Sequence, residues 1–469
     1  MLRFPKCRKG FNPYILVVLI TVLWISDSRA QTSTNTVWPE TWQGKLNVAA
    51  NMQLTLVLNL QQQGDNLSAT LDSPDQGAMG IPASQVSREH NDLRIEFAAI
   101  GAIYVATRQA QQLSGTFTQA GRQFPLVLKV MSEQQKNVLA ASQLRPQEPQ
   151  PPYPYIEETV SYLHPTGQFN FAATLTKPTG KGPFAAAILI SGSGPQDRDE
   201  TLAGHKPFKL LADHLTRQGY AVLRFDDRGT GESQGTFSGT TIDNFATDVQ
   251  AAFEYLQGRS DIKPDKIGLI GHSEGGVTGP IFAAHQAKVA FVVMLAGLGV
   301  PGNQLWAAQQ RDIGLASGMS DGDLIYQVHY KAATLAAEGA SLDEVKAVFS
   351  AVPGANQQMI DSVAGMLSNP WGRSLMAYQP QAVLSKLTMP LLALNGELDL
   401  QVAANDNLDG IKQIMATTDN SDVTVLSLPG LNHLFQHAKT GLPVEYAQIS
   451  ETINPAVLKL ISDWLQARF

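Results

Sequence analysis

The serine at position 273 is the residue whose surroundings point most directly to chemistry. It lies in the pentapeptide GHSEG of residues 271–275, directly after the apolar run of residues 267–270. In this G-x-S-x-G pattern the serine occupies a sharp, strained turn between a strand and a helix, and glycine at both flanking positions avoids collisions with neighbouring elements. The pattern therefore predicts that Ser273 is a nucleophile raised above the edge of a sheet.

A serine hydroxyl is a poor nucleophile at neutral pH and needs a base within hydrogen-bond distance. When the nucleophile follows a strand in this way, the acid and then the histidine come later in the chain. His433 lies in a loop directly after the apolar run of residues 423–428, and we predict that it is the base. The other histidines after the serine fit less well, since His285 and His329 fall within helical segments and His437 lies one helical turn further on.

The base in turn requires a carboxylate that holds it in one tautomer. Asp399 lies in the loop that follows the apolar run of residues 391–394, and we predict that it is this acid. Glu397 in the same loop is the alternative, whereas Asp406 lies too far along the chain.

A glycine-rich loop supplies candidates for an oxyanion hole. The sequence SGSGP of residues 191–195 follows the apolar run of residues 185–190. Glycine lets a backbone approach a ligand closely, and one N–H of this loop can act with that of Glu274 on a negative oxygen. Ser193 is the preferred donor, and Gly192 and Gly194 are the neighbouring alternatives. The loop lacks both G-x-G-x-x-G and the lysine of a P-loop, which argues against a nucleotide site.

Two further segments combine acids with arginine, namely residues 197–200 (DRDE) and residues 226–232 (DDRGTGE). Such groups can be catalytic, but buried charges are usually paired, and the favoured interpretation is internal ion pairs that shape the loops.

The elements that must position these residues are visible as six short apolar runs separated by helical stretches. Buried strands that read as continuous apolar runs between helices indicate a mostly parallel sheet covered on both faces. The runs cover residues 185–190, 221–225, 266–270, 291–295, 391–394 and 423–428. An alanine-rich helical insertion, about residues 302–384, lies before the fifth run and is predicted to form a cap over the carboxyl ends of the strands.

The chain before this region has a different pattern. Apolar residues alternate with polar ones from Met52 to Leu60, and similar short segments recur until Val130. This period of two predicts a small all-β, barrel-like domain over residues 31–130. Five prolines fall within residues 146–154, so residues 131–154 are predicted to be a stiff, extended linker to a domain of residues 155–469.

Residues 1–30 have the layout of a secretory signal peptide. A basic start precedes 12 mostly apolar residues (14–25), and Ser28-Arg29-Ala30 offers a cleavage site. The apolar run is too short to span a bilayer, which takes about 20 residues. We therefore predict a bacterial periplasmic or secreted protein with no stable membrane anchor after cleavage. The single cysteine, Cys7, excludes an intramolecular disulfide.

The composition limits the possible partners. Lysine and arginine total 34 against 41 aspartates and glutamates, for a net charge of −7. This balance argues against a general nucleic-acid binder, which requires basic patches. With 43% hydrophobic residues the chain can bury a sizeable core. Nothing in the sequence requires a metal or a cofactor.

Taken together, these motifs resemble the α/β-hydrolase superfamily. The sequences SGSGPQDRD, DRGTGES and GHSEGG, with Asp399 and His433, are most similar to secreted bacterial serine esterases related to prolyl-oligopeptidase-type (S9) hydrolases. The resemblance covers about residues 155–469 and implies an α/β-hydrolase sandwich with a helical cap. It also implies hydrolysis of small-molecule carboxylic esters of short to medium acyl chain through an acyl-enzyme.

The motifs leave the class of reaction partly open. A peptidase or amidase would use the same three residues, and a non-catalytic binding protein is a further alternative. The oxyanion loop departs from the His-Gly pattern of many esterases, so the choice between Ser193 and its neighbours also stays open.

Overall fold

The computed structural model describes Trp38 and residues 41–49, 52–63, 66–74, 78–119, 122–143, 145–352 and 356–469. The predicted signal peptide, residues 1–30, lies outside the described residues. Within these described ranges, no helix is both long enough and apolar enough to cross a membrane.

The N-terminal part is a nine-stranded antiparallel sheet. Its strands are β1 (Thr41–Ala49), β2 (Met52–Gln63), β3 (Asn66–Ser73), β4 (Ala78–Pro82), β5 (Gln85–Glu89), β6 (Asp92–Phe97), β7 (Ala102–Gln109), β8 (Gln112–Gln119) and β9 (Arg122–Val130). They lie in the order β4-β3-β2-β1-β9-β8-β7-β6-β5, and the sheet curls until the edge strand β5 contacts β3. This is the barrel-like all-β region that the alternating sequence predicts.

The alternation in the sequence explains which face of this sheet is buried. Leu56, Leu58 and Leu60 of β2 are all at most 3% exposed, and they pack in one core with Trp42 and Ile95. The intervening side chains face away from this core because successive residues of a strand point to opposite faces.

The segment predicted as an extended linker contains a helix, α1 (Glu133–Gln143). The chain that follows is fastened to the C-terminal domain, since the Arg145 guanidinium donates 2.8 Å hydrogen bonds to the carbonyl oxygens of Ala203 and Ala447. The sequence EQQKNVLAASQ consists largely of good helix formers, but its apolar residues form no continuous stripe, so periodicity alone did not reveal the helix.

The C-terminal part is an eight-stranded sheet between layers of helices. Its strands are β10 (Ile156–Leu163), β11 (Asn170–Lys177), β12 (Phe184–Ile190), β13 (Ala221–Phe225), β14 (Ile262–His272), β15 (Val292–Leu295), β16 (Leu391–Gly396) and β17 (Val423–Leu428). The order is β10-β11-β13-β12-β14-β15-β16-β17. The strands from β13 to β17 run parallel and β11 runs antiparallel to its neighbours. The predicted α/β-hydrolase fold with its mostly parallel sheet is confirmed.

Helices cover both faces of this sheet. They are α2 (Pro207–Arg217), α3 (Ile242–Gln257), α4 (Gly275–Ala283), α11 (Ala404–Met415) and α12 (Pro455–Gln466). Leu211 of α2 and Ile461 of α12 are buried in one apolar core, whereas Phe253 of α3 and Ile411 of α11 are buried in the core on the other face. Two buried faces are the reason that the parallel strands read as continuous apolar runs.

The predicted insertion forms a helical cap between β15 and β16. Its helices are α5 (Gly302–Ala316), α6 (Gly322–Ala337), α7 (Leu342–Ser350), α8 (Gln357–Ser368), α9 (Pro370–Met376) and α10 (Pro380–Leu384). The cap meets the hydrolase domain through α10, which packs on α4 and α11, and through α9, which packs on α3. There the Trp371 indole reaches Glu274, and the Ser374 hydroxyl accepts a hydrogen bond from the N–H of Ile242.

Candidate active site

Ser273 occupies the turn between β14 and α4 with a backbone φ of +52°. Such a left-handed conformation is strained for a residue with a side chain, and a 2.8 Å hydrogen bond from its N–H to the carbonyl of Leu295 holds it. The flanking glycines are required sterically. A Cβ on Gly271 would stand 2.0 Å from the carbonyl oxygen of Gly275, and a Cβ on Gly275 would stand 2.0 Å from that of Ile190.

Asp399 and His433 form a buried hydrogen-bonded pair. The Asp399 Oδ2 atom lies 2.7 Å from Nδ1 of His433, and the two residues are 3% and 4% exposed. The other carboxylate oxygen, Oδ1, accepts the N–H groups of Gln401 and Val402 at 2.8 and 2.9 Å. The carboxylate is therefore fixed, and it holds His433 with the proton on Nδ1 and Nε2 free to accept one.

The alternative acid and base lie elsewhere. Glu397 and Asp406 are exposed, and among the described residues neither forms a hydrogen bond or an ion pair with His433. His437 is exposed and pairs with Glu451 at 3.2 Å. The structure thus brings together Asp399 and His433 and separates their sequence rivals from them.

His433 lies against the nucleophile turn. Its ring centroid is 4.8 Å from that of His272, the residue directly before Ser273, and Nε2 of His272 lies 3.0 Å from the His433 carbonyl oxygen. Among the described residues no hydrogen bond joins the Ser273 hydroxyl to the His433 ring. Catalytic hydrogen bonds are often long without substrate and tighten only in the complex.

The glycine-rich loop borders the nucleophile, and one of the candidate donors in this loop is already hydrogen-bonded elsewhere. A Cβ on Gly192 would lie 3.3 Å from the Cβ of Ser273. The Gly192 N–H donates a 2.7 Å hydrogen bond to Oε1 of Glu200, so the prediction of Gly192 as an oxyanion donor is not supported. The N–H groups of Ser193, Gly194 and Glu274 have no acceptor in the part of the chain that the structure describes, so the pairing of Ser193 with Glu274 stays a prediction.

Sequence reasoning missed the residues that support this constellation. Glu200 is 3% exposed and lies 2.9 Å from Nδ1 of His272. Burial disfavours the charged imidazole, but the charge of Glu200 and the hydrogen bonds to Glu200 and the His433 carbonyl raise the pKa of His272 above its usual range. A histidine directly before the nucleophile was the one feature of the sequence that could have indicated this pair. Nothing in the sequence showed which acid is hydrogen-bonded to it.

Glu274 ties the nucleophile turn to the cap. Its Oε2 atom accepts a 2.6 Å hydrogen bond from Nε1 of Trp371. Burial raises the pKa of Glu274 to about 7, although the hydrogen bond from Trp371 and the Ser193 side chain act in the opposite direction. A cavity of about 20 Å³, the space of roughly one water molecule, lies beside this carboxyl and is lined by Ser191 and Asp227 as well.

The acid-rich segments form the internal ion pairs that their composition suggested. The Arg198 guanidinium donates to both carboxylate oxygens of Asp226, at 3.0 and 2.6 Å. Although burial favours the neutral acid, these bonds and the N–H of Glu232 hold the pKa of Asp226 below its usual value. Arg228 pairs in the same way with Asp248. Over the ranges that the structure describes, no cluster of three or more His, Cys, Asp or Glu side chains is arranged to hold a metal ion.

A comparison of the sequence with protein-family models shows which family the chain belongs to. The family model described as "X-Pro dipeptidyl-peptidase (S15 family)" matches residues 137–424. The chain belongs to this family. The match begins within α1 and leaves out the N-terminal β-sheet. The match includes Ser273 and Asp399 but ends before His433. The prediction that His433 is the base is therefore supported by its hydrogen bond to Asp399 and not by the family match.

This S15-family chain is similar to an esterase and to a hydrolase among curated proteins. It is 28% identical to Esterase EstD of Thermotoga maritima over 297 residues, which cover 62% of this chain and 64% of that protein. It is 31% identical to the putative hydrolase YtaP of Bacillus subtilis over 131 residues, covering 24% of this chain and 44% of that one. The chain thus spans less than two thirds of these relatives.

Solved structures similar to this S15-family chain include a hypothetical protein of Pseudomonas aeruginosa, PA2218, and the Pyrococcus furiosus esterase Pf2001. The first is 16% identical with a TM-score of 0.44, covering 69% of this chain and 96% of that one. The second is 14% identical with a TM-score of 0.42, covering 67% and 91%. The predicted membership in the α/β-hydrolase superfamily is confirmed by the family match and the sheet topology, and the relation to S9 hydrolases stays a prediction.

Proposed function

We propose that this chain is a serine hydrolase that cleaves small carboxylic esters of short to medium acyl chain through an acyl-enzyme on Ser273. The observation that carries the proposal is the buried pair of Asp399 and His433, 2.7 Å apart, against the strained turn that presents Ser273. The similarity to Esterase EstD supports an ester as the substrate class.

In the first half of the reaction, Nε2 of His433 takes the proton of Ser273 as the hydroxyl oxygen attacks the ester carbonyl. Asp399 stabilises the imidazolium that forms, because its carboxylate already accepts the Nδ1 proton. The negative oxygen of the tetrahedral intermediate lies between the N–H groups of Ser193 and Glu274. A donor of this kind contributes about 3–4 kcal/mol to the transition state.

The second half reverses these roles. His433 gives its proton to the departing alcohol, and the acyl group stays bound to Ser273. Water then enters, His433 removes a proton from it, and the hydroxide attacks the acyl carbonyl. As this second intermediate collapses, His433 returns the proton to the Ser273 oxygen, which restores the hydroxyl, and the acid is released.

A peptidase acting on X-Pro sequences is the second candidate, and the family membership favours it. Ester and amide cleavage share all of the residues named above, so the site itself does not separate them. An amide demands more of His433, because the departing amine is a poorer leaving group than an alcohol and must be protonated as it departs.

Turnover measurements on the purified protein test both candidates. We expect hydrolysis of p-nitrophenyl acetate, butyrate and octanoate with a kcat/KM well above that for dipeptide X-Pro p-nitroanilides. Ser273→Ala should abolish turnover, while Ser350→Ala, an exposed serine of the cap, should act as wild type. Turnover by Ser273→Ala near the wild-type rate would refute the assignment, and faster cleavage of X-Pro amides would establish the peptidase.

We also propose that the protein is exported to the periplasm or secreted, as the layout of residues 1–30 suggests. Expression of the full chain in a bacterium followed by N-terminal sequencing should give a mature protein that starts at Gln31. Retention of residues 1–30 on the cytoplasmic protein would contradict this proposal.

A further inference from the structure

A buried ion pair lies directly behind the nucleophile and belongs to none of the three triad positions. Glu200 and His272 are 3% and 6% exposed, and Oε1 of Glu200 lies 2.9 Å from Nδ1 of His272. Burying two charges is costly unless both are fully hydrogen-bonded. The remaining contacts of this pair therefore indicate what it holds in place.

Both nitrogens of the His272 ring face oxygen atoms that accept hydrogen bonds. Nδ1 meets the Glu200 carboxylate and Nε2 meets the backbone carbonyl of His433, at 3.0 Å. A carbonyl oxygen only accepts, so Nε2 must carry a proton, and a carboxylate likewise requires one on Nδ1. His272 is accordingly a cation whose charge is balanced by Glu200.

The two partners hold the two loops that the reaction uses. His272 donates to the backbone of His433, the residue whose ring must face Ser273. Glu200 accepts the N–H of Gly192, the residue directly before Ser193, whose own N–H is a candidate oxyanion donor. Glu200 itself has a φ of +52°, an uncommon conformation for a residue with a side chain. One ion pair thus joins the nucleophile turn, the base loop and the oxyanion loop.

We propose that Glu200 and His272 are positioning residues that fix the backbone of His433 and of the Gly192–Ser193 loop for catalysis. This inference rests on the proposed function, since it concerns the geometry of the same triad. Neither side chain touches the substrate or transfers a proton in the reaction. Their effect is expected in kcat, because misplacing a base or an oxyanion donor weakens the transition state more than the binding of the substrate.

Two substitutions of His272 separate its two hydrogen bonds. In His272→Gln the side-chain amide nitrogen takes the place of Nε2 and keeps the bond to the His433 carbonyl. In His272→Asn it takes the place of Nδ1 and keeps only the bond to Glu200. We expect at least a tenfold loss of kcat in His272→Asn with KM within twofold of wild type, whereas His272→Gln should recover kcat to within about threefold of wild type.

The exposed His437 supplies the control, since His437→Asn makes the same chemical change outside the site. Thermal unfolding of each variant shows whether it is folded. Equal kcat in folded His272→Asn and wild type would overturn the inference, as would equal losses in the Asn and Gln variants. If the wild-type protein hydrolyses no ester, or if Ser273→Ala keeps its turnover, the proposed function is overturned and this inference with it.

Glu200→Gln provides a second test should His272→Asn fail to fold. The charged or titratable groups that face His272 are Glu200, Asp399 and His433. Removing the Glu200 charge takes away the stabilisation of the charged His272 ring, which burial otherwise disfavours. We expect a kcat at least fivefold lower than wild type at pH 7, with KM within twofold of wild type. A folded Glu200→Gln variant with the kcat of wild type would overturn the inference.

Discussion

Replacing Asp399 by asparagine removes the charge that faces His433 with almost no change in shape. In the folded protein Oδ1 of Asp399 accepts the N–H groups of Gln401 and Val402. Since only an oxygen can accept these bonds, the asparagine must place its amide oxygen there and turn its NH2 group toward His433. Nδ1 of His433 then has to accept a hydrogen bond, and the ring proton moves to Nε2, the atom that should receive the proton of Ser273.

The expected loss of kcat is large because the N–H groups of Gln401 and Val402 hold the asparagine amide in the orientation that puts the His433 proton on the wrong nitrogen. In a Ser-His-Asp arrangement a change from aspartate to asparagine lowers kcat by about 10⁴-fold. At about 1.4 kcal/mol for each factor of ten, this corresponds to about 5.5 kcal/mol of transition-state stabilisation. The assay is the kcat for a p-nitrophenyl ester at pH 7, with thermal unfolding to confirm that the variant is folded.

Asp406→Asn is the matched control, because Asp406 is an exposed acid in the first turn of α11 and its replacement removes the same charge. It should leave kcat within twofold of wild type. A folded Asp399→Asn variant that retains more than a tenth of the wild-type kcat would refute the reasoning about the tautomer of His433.

Three further predictions concern the surroundings of the site. Gly275→Ala should destabilise the fold by about 3 kcal/mol or more, because its Cβ would collide with the backbone carbonyl of Ile190. The control is Gly365→Ala, whose Cβ would have no atom within 4 Å and which should be neutral or stabilising in thermal unfolding. Equal effects of the two substitutions would contradict the steric explanation. Because burial raises the folded-state pKa of Glu274 from 4.5 to about 7, the unfolded chain ionises this carboxyl at a lower pH than the folded protein does, and wild type loses stability as the pH rises through this range. Glu274→Gln should therefore gain about 3 kcal/mol relative to wild type between pH 4.5 and pH 8 in urea unfolding, and a constant difference would argue against a buried acid. Arg198→Ala leaves Asp226 buried without its cation and should cost about 3 kcal/mol; a loss below 1 kcal/mol would show that the pair is dispensable.

The parallel sheet could be predicted because its strands are buried on both faces. The apolar runs at residues 185–190, 221–225 and 291–295 match the buried strands β12, β13 and β15 almost residue for residue. Strands β10 and β11 escaped prediction because their environment differs. β10 is an edge strand with mostly exposed polar side chains, and β11 is rich in alanine and threonine, so neither gives an apolar run.

Some residues of the site could likewise be predicted from the sequence and others could not. Ser273, Asp399 and His433 each follow a recognisable strand, and the order of the fold then brings their loops to one edge of the sheet. Glu200 and Trp371 have no such local signal. They meet His272 and Glu274 across 72 and 97 residues of chain, and only the folded structure shows these contacts. The Gly192 N–H could not be assigned from the sequence for the same reason, since its acceptor is Glu200.

Labelling with a fluorophosphonate followed by peptide mass spectrometry tests the central proposal most directly, because the reagent reacts with a serine only when a base activates it. The proposed triad predicts one adduct, on Ser273, and none in Ser273→Ala. The Asp399→Asn variant should label at least a hundredfold more slowly than wild type. An unlabelled wild-type protein, or an adduct on another serine, would contradict the proposal that Asp399, His433 and Ser273 form an active site.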